Sequence, residues 1–490
     1  MTHLERLSRL LQDSNLLIEQ SGQHRITNIE RPANDSRKVG PNDVFVAIKG
    51  ELFDGHLFIE KAVKNGAIAV VCEVMPEEAL TRFPGVAFIR VHNARAALAE
   101  LAAFHYNYPS RSLDMIGITG TNGKTTTAFL VHHMLQSLGH PCGLLSTIEY
   151  RIGSHILEAS HTTPDTLELN RMLQLMLDQA CRACAMEVSS HALDQDRVRA
   201  IEYAVGIFTN LTQDHLDYHG TMDAYLDAKK ILFDGLTPGA TAVYNTDDPH
   251  GESIVADTAA STLSFGMFTQ ADIRGFIIRN GLSGLELEIE GSARRYRLVG
   301  EFNALNLLAA YATGRALGYN RDDILMALES APPVPGRFEI LRVQGRRYVV
   351  IDYAHTPDAL ENVLRTIRHT MNPDSTLWCI FGCGGDRDSG KRPLMGQIAE
   401  QYSDRIIVTS DNPRTEDPER IIDDIKKGIS SPEKALWIAN RREAIQEAAS
   451  RSADGDVILI AGKGHENYQV IGTETIPFDD KEEARKAFGK

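Results

Sequence analysis

Short runs of wholly apolar residues, each followed by a polar or glycine-rich turn and then a helical pattern, recur from one end of the chain to the other. Runs apolar on every residue are strands buried on both faces, and their alternation with helices predicts mostly parallel α/β sheets. The run everything else is arranged around lies in residues 113–127, LDMIGITGTNGKTTT. Residues 115–119 are apolar and β-prone, Gly120 and Gly123 permit a tight turn, and Phe129, Val131, Met134, Leu135 and Leu138 then fall at helical spacing. Before it, residues 1–19 begin as an amphipathic helix. DVFVAIKG, a helix over 58–64, AIAVVCE and VAFIRV then make a small α/β unit, and a helix over 94–106 leads through a linker at 108–112.

The middle of the chain repeats the pattern with polar clusters at the strand ends. TTPD precedes a helix, and ACAMEVSSHAL puts Glu187 at the end of an apolar run. AVGIFTNLTQDHLDYHG ends in Asn210, Asp214, His215, Asp217 and His219. On periodicity alone, Lys229 and Lys230 of the helix over 225–233 are solvated surface lysines. After PVPGRFEIL a third α/β unit begins, and its strands also end in charge. GCGGDRDSGKRP carries Arg387, Lys391 and Arg392, SDNPR carries Asp411, Asn412 and Arg414, and AGKGHE carries Lys463, His465 and Glu466. Three α/β domains are expected, at residues 1–91, 92–335 and 336–490; 490 residues is too long for one core.

Composition narrows the function. With 43% hydrophobic and 24% charged residues the chain is ordinary globular protein, and a net charge of −15 argues against a nucleic-acid partner. No apolar run approaches a membrane span and the N-terminus does not read as a signal peptide, so a cytoplasmic protein is expected. Six cysteines, with one lone CxxC and one CxxxC, read as reduced thiols rather than a zinc site.

The chemistry starts at the glycine loop. Backbone N–H groups at a helix N-terminus, from Gly120, Thr121, Asn122, Gly123 and Thr126, suit phosphate oxygens. Lys124 adds a full charge and Thr125 a hydroxyl for Mg²⁺, which together specify ATP. Ile118 stands where the general P-loop has its first glycine, so the match is the shorter GTNGKTT. Such a site needs metal ligands delivered from neighbouring strand ends, and Glu187 and His215 are the candidates. GCGGDRD lacks the third glycine of a dinucleotide fingerprint, which disfavours an oxidoreductase; arginines at strand ends suit carboxylate or phosphate. The polar loop at Asn34, Asp35, Ser36 and Arg37 with GELFDGH is either a ligand loop or a solvated turn.

TGTNGKTT, TTPD, MEVSSHAL, TNLTQDHLDYHG, YLDAKKILF, EFNALNLLAA, PGRFE, DYAHTPDAL, GCGGDRDSGKRPLM, DNPR and AGKGHE, in this order, resemble the Mur ligases of peptidoglycan synthesis over essentially the whole chain. The resemblance implies an N-terminal domain for a uridine nucleotide, a central P-loop ATPase and a Rossmann-like C-terminal domain for an incoming amino acid. It implies a ligase, acting as a monomer, that adds meso-diaminopimelate to UDP-MurNAc-L-Ala-D-Glu through an acyl phosphate. By the same resemblance Ser36 and the GELFDGH loop hold the uridine nucleotide, and Thr162, Thr163, Ser189, Gln195 and Arg197 line the muramoyl-dipeptide site. Asn303, Asn306 and Arg337 reach ATP. Lys229 is a carbamylated lysine that joins Glu187 and His215 at Mg²⁺. Arg387, Asp411, Asn412, Pro413, Arg414, Gly462 and Glu466 form the diaminopimelate site. Two other readings use the same residues, a folylpolyglutamate synthetase-like ligase and a non-catalytic nucleotide-sensing module. UDP-sugar binding separates the first, and loss of Lys124 or a metal ligand would mark the second.

Overall fold

The computed structural model describes residues 2–22, 28–50 and 53–489; Glu51 and Leu52 of the GELFDGH loop lie outside the described residues. Three main sheets account for the apolar runs. The first orders its strands as Leu17–Gly22, Ala87–Val91, Ala69–Cys72, Val44–Val46 and Pro32–Ala33, all parallel except the antiparallel Leu17–Gly22 edge. The helix His3–Asp13 turns Leu4, Leu7 and Leu11 onto this sheet. Ala94, Ala97, Leu98 and Leu101 of the helix Ala94–His105 pack into that same core. Residues 108–112, expected as a linker, instead form the tight turn Pro109–Ser112 with Pro109 and Ser110 buried.

The central sheet has eleven strands, with Asp114–Thr119 between Ala183–Glu187 and Val205–Phe208. Its middle is parallel, while antiparallel strands extend it at both edges, Glu149–Ile152 and His155–Glu158 on one side and the Ile273–Gly281 to Ser292–Tyr296 meander on the other. Every residue from Met115 to Thr119 is buried, because the helix Lys124–Ser137 covers one face and Tyr203, Leu232 and Phe233 cover the other. The third sheet runs Glu339–Arg342, Tyr348–Asp352, Val457–Ala461, Leu377–Phe381, Arg405–Val408 and Ala435–Trp437, parallel but for its first strand. All six cysteines are free and buried. Among the described residues no helix is long and apolar enough to cross a membrane.

One ion pair fastens the third unit from within. Arg441 donates to both oxygens of Asp480 at 2.7 Å, with both side chains 0% exposed, and passes its remaining N–H groups to the carbonyls of Ser410 (3.3 Å) and Ala461 (2.9 Å). Removing one member of such a pair strands the other without water, so Asp480→Ala should destabilise the unit by about 3–5 kcal/mol. Lys64→Ala, which opens an exposed pair with Glu60, should leave stability essentially unchanged. Urea unfolding of both variants checks this contrast.

Candidate active site

Register decides which side chains meet. Ile118 pairs with Glu187 and Thr119 with Phe208, so the carboxyl ends of three parallel strands stop at one level and release the glycine loop, Glu187 and Thr209–Asn210 side by side. The loop is tied to its neighbour: Thr121 N–H donates to the Asn210 carbonyl (2.8 Å) and Asn122 N–H to Asn210 Oδ1 (2.9 Å). Gly123, at φ +88°, caps the helix Lys124–Ser137, and a Cβ there would sit 2.4 Å from Asn306 Oδ1. This helix start has no side-chain cap among the described residues, whereas Asn93, Asp165, Thr221 and Thr356 cap other helices. Its first N–H groups are left for an anion.

The loop opens on a cavity of about 300 Å³ lined by Thr121–Thr125, Thr147, Thr162, Glu187, Ser189, Asp214, His215, Lys229, Asn306, Arg337 and residues 352–356, among others. Lys124 folds back on its own loop, donating to the carbonyls of Thr121 (2.8 Å) and Gly120 (2.9 Å). Burial holds its pKa below the ordinary lysine value, against the pull of Glu187 and Asp214.

Lys229 is not a surface residue. It is 1% exposed, and its Nζ donates to the same Gly120 carbonyl at 2.9 Å and lies 4.2 Å from the centre of the Tyr225 ring. The helix Met222–Asp234 turns Tyr225, Ala228, Lys229 and Phe233 inward, so Lys229 stands on the apolar face at the i+4 position from Tyr225. That spacing was in the sequence, but a lysine on it reads as polar. Burial, then the neighbouring charge of Lys124, drives its pKa far below the usual lysine value. Lys230 turns outward and pairs with Asp234 (2.5 Å) and Asp257 (2.7 Å).

Glu187, 1% exposed, accepts from Thr147 N–H (2.7 Å) and Thr147 Oγ1 (3.2 Å). Thr163 donates to the Glu187 carbonyl (2.8 Å) and accepts from Ser189 N–H (3.0 Å). His215 stands at φ +53° with Nε2 3.5 Å from Asp214 Oδ2, and burial holds its pKa below the ordinary histidine value. Among the described residues no three His, Cys, Asp or Glu side chains converge into a metal cage. A cation at Glu187 and His215 therefore requires further oxygens, from the Thr125 hydroxyl, a modified Lys229 and phosphate, which suits Mg²⁺ bound with substrate.

The third unit closes the cavity. Arg337 donates to Thr125 Oγ1 (3.1 Å) and stacks its guanidinium 4.5 Å from the Tyr353 ring centre. Asp358, in the first turn of the helix Pro357–Thr370, accepts from Asn122 Nδ2 (2.8 Å) and Thr212 Oγ1 (3.1 Å). Asp352, whose burial raises its pKa, and His355 line the same wall. DYAHTPDAL was visible as a motif, but nothing in its spacing said that Asp352, His355 and Asp358 would face the glycine loop of another unit; nor was Asp214 singled out as a charge near Lys124 and Lys229. Asn306 reaches the cavity, while Asn303 stands behind it as the acceptor for Asn306 Nδ2 (3.1 Å).

The remaining candidates fall into two groups. Gln195 Oε1 accepts from Arg197 Nη2 (2.6 Å), and Arg197 Nη1 reaches the Thr163 carbonyl (3.4 Å), so these residues adjoin Thr162, Thr163 and Ser189 at the cavity rim. Ser36 is buried in the first unit, away from the residues lining the cavity, and its carbonyl accepts from Asn65 (2.8 Å). In the third unit Asn412 Nδ2 donates to Glu466 Oε2 (2.9 Å), and the Cβ that Gly462 lacks would stand 3.7 Å from the Asp411 carboxyl. Arg414, at φ +50°, donates to the Gly385 carbonyl (2.8 Å), and Arg387 is exposed beside it. A Cβ on Gly385 would stand 1.9 Å from the Pro413 carbonyl, so this glycine serves close packing against the DNPR segment. Arg392, charged in the sequence pattern, is spent on Glu416 and Asp424.

Comparison with known proteins accounts for all three units. Residues 29–106 match the Mur ligase family, catalytic domain; 118–314 the Mur ligase middle domain; and 336–464 the Mur ligase, glutamate ligase domain. A UDP-N-acetylmuramoyl-L-alanyl-D-glutamate--2,6-diaminopimelate ligase from Cytophaga hutchinsonii is 44% identical over 91% of this chain and 92% of its own. One of the same name from Geobacillus kaustophilus is 44% identical over 92% and 93%. A solved structure of a ligase of that name superimposes with a TM-score of 0.68 at 34% identity, covering 96% of this chain and 97% of its own. A folylpolyglutamate synthase from Mycobacterium tuberculosis shares the fold at 21% identity (TM-score 0.62) and covers 80% of this chain.

Lys124→Ala removes a charge from the cavity lining and leaves the loop's ties to Asn210 intact. ATP-dependent phosphate release should fall by about 10²–10³, roughly 3–4 kcal/mol of transition-state stabilisation, with an unchanged circular dichroism spectrum. Turnover near that of the parent would refute the assignment of the loop.

Proposed function

Because the chain belongs to the Mur ligase family, we propose that it joins meso-2,6-diaminopimelate to the D-Glu of UDP-N-acetylmuramoyl-L-alanyl-D-glutamate at the expense of ATP, in peptidoglycan precursor synthesis. The observation that carries this reading is the composition of the cavity wall. The central unit supplies a phosphate loop and the third unit closes over it with Arg337, residues 352–356 and Asp358, while Asp411, Arg414 and Glu466 stand at strand ends of that same unit. A folylpolyglutamate synthetase-like activity and a non-catalytic nucleotide sensor are disfavoured by the match over all three units and by the presence of Lys124, Glu187 and His215.

Two reactants need activation: a carboxylate is a poor electrophile and an ammonium is no nucleophile. The D-Glu carboxylate attacks the γ-phosphate of ATP, giving an acyl phosphate and ADP, while Lys124 and the helix N-terminus stabilise charge on the transferring group. Asn306 and Arg337 hold the nucleotide beside Thr125. Thr162, Thr163, Ser189, Gln195 and Arg197 orient the dipeptide, and Ser36 in the first unit takes the uridine nucleotide. The amine of diaminopimelate then attacks the acyl carbonyl and phosphate leaves. The third unit positions the amine and keeps out water that would hydrolyse the intermediate.

Thr125, Glu187, His215 and Lys229 as a carbamate would hold Mg²⁺, which when bound supplies positive charge to the phosphate oxygens. Lys229 is suited to carbamylation because CO₂ reacts with a neutral amine, and its burial beside Lys124 favours that form. The carbamate replaces a like-charge contact by an opposite-charge one. We place the end of the first unit after the helix Ala94–His105, because that helix shares its core. The protein acts on small molecules as a cytoplasmic monomer.

Phosphate release from ATP with UDP-MurNAc-dipeptide and a panel of amino acids tests the activity, and meso-diaminopimelate should be the preferred acceptor. Arg414→Ala should lose most of that activity and narrow the gap to L-lysine. The half-exposed arginine loses about 2 kcal/mol of carboxylate recognition, roughly 30-fold. Equal kcat/KM for the two amino acids in the parent overturns the reading. For Lys229, a crystal grown in bicarbonate should show carbamate density, and short carboxylates should partly rescue Lys229→Ala; an active, unrescued alanine variant with unmodified parent density rejects the carbamate.

A further inference from the structure

Beneath the strand ends that carry the amino-acid site lies a fully buried cation whose partners are the site residues themselves. Lys463 follows Gly462 at the end of the strand Val457–Ala461 and is 0% exposed. Its ammonium has three protons, and three acceptors take them: the Tyr468 carbonyl (2.7 Å), Asn412 Oδ1 (3.0 Å) and Glu466 Oε2 (3.3 Å). Asp411 Oδ1 is 3.5 Å from the same nitrogen, but it is buried and has no hydrogen-bond donor among the described residues. Asp411 is 8% exposed, its backbone carbonyl is held by Gln469 (2.7 Å), and among the described residues nothing else approaches the open carboxylate oxygen closely enough to satisfy it. An acceptor left open at such depth is matched when a ligand supplies the donor.

The charges can be counted. Asp411 and Glu466 are two carboxylates, Lys463 cancels one, and Arg414 adds a separate cation in the same segment, while the charge of Arg387 beside it is exposed to water and screened. The site therefore presents one net negative and one positive group, the complement of a carbon bearing both an ammonium and a carboxylate. Resting on the reading that this segment receives diaminopimelate, we propose that Lys463 is a specificity-determining residue. By neutralising one of the two carboxylates it sets the site to accept a zwitterionic end, and so discriminates against amino acids such as L-lysine whose far end is a bare cation. Without Lys463, two carboxylates face one arginine, and a bare cation becomes the better match.

The test is the ratio of kcat/KM for meso-diaminopimelate to that for L-lysine, measured with the full chain, ATP and the UDP-linked dipeptide. In Lys463→Met the ratio should move at least tenfold toward lysine, with KM for ATP unchanged. Lys463→Arg should keep more of the parent ratio. The double variant Lys463→Met/Glu466→Gln restores the count to one carboxylate and one arginine, and should return the ratio toward the parent value. A merely structural lysine would lower both activities together and leave the ratio where it was, which overturns the proposal. If Lys463→Met does not fold, the double variant decides: preference for diaminopimelate supports the charge count, and equal use of the two amino acids rejects it. A parent protein with no preference overturns the assignment of the site itself, and the proposal with it, whereas a selective parent with a selective Lys463→Met variant overturns the proposal alone.

Discussion

The carbonyl oxygen of Gly120 accepts from two lysines, Lys124 and Lys229, and most of the catalytic geometry is a response to that contact. Two ammonium groups on one oxygen, in a cavity sheltered from water, repel each other and are both poorly solvated. The chain answers with Glu187 and Asp214 nearby, which oppose the drop in the Lys124 pKa, and with burial that drives Lys229 toward its neutral amine. Two like charges at one oxygen make this corner of the cavity suited to anions. An acidic chain of net charge −15 thus concentrates positive charge where its anionic substrates bind.

The cluster around Asp411, Asn412 and Glu466 in the third unit is built on the opposite principle, with charges of both signs set side by side. Arg441 and Asp480 neutralise each other at the base, and Arg441 grips the carbonyls of Ser410 and Ala461, the residues immediately before Asp411 and Gly462. Lys463 then binds the polar groups of the site from below. Arg414 keeps its left-handed backbone because its N–H donates to the Val470 carbonyl (3.1 Å) and its carbonyl accepts from Gly472 (2.6 Å). Backbone strain persists where surrounding bonds over-determine it, and here it aims a guanidinium.

Much of this was legible in the sequence. Runs such as IGIT and VILIA gave the strands, because side chains buried on both faces leave a periodicity that nothing else produces. Glu187 and His215 could be nominated because parallel strands end together. What stayed hidden depended on contacts between segments hundreds of residues apart. Asp358 meets Asn122 across 236 residues, and no local spacing encodes that. Lys229 was misread on periodicity because a buried lysine and a solvated one look alike until the packing of Tyr225 and Phe233 is known. The glycines of GCGG fell short of a dinucleotide fingerprint, and their use appears only in the packing, where Gly385 allows one backbone to touch another.

The bond from Asn122 to Asp358 means that the nucleotide cavity has walls from two bodies, one carrying the loop and the other the helix Pro357–Thr370. Parting the two bodies would open that wall, so the same contact that shields the cavity from water would also govern how readily a nucleotide leaves it.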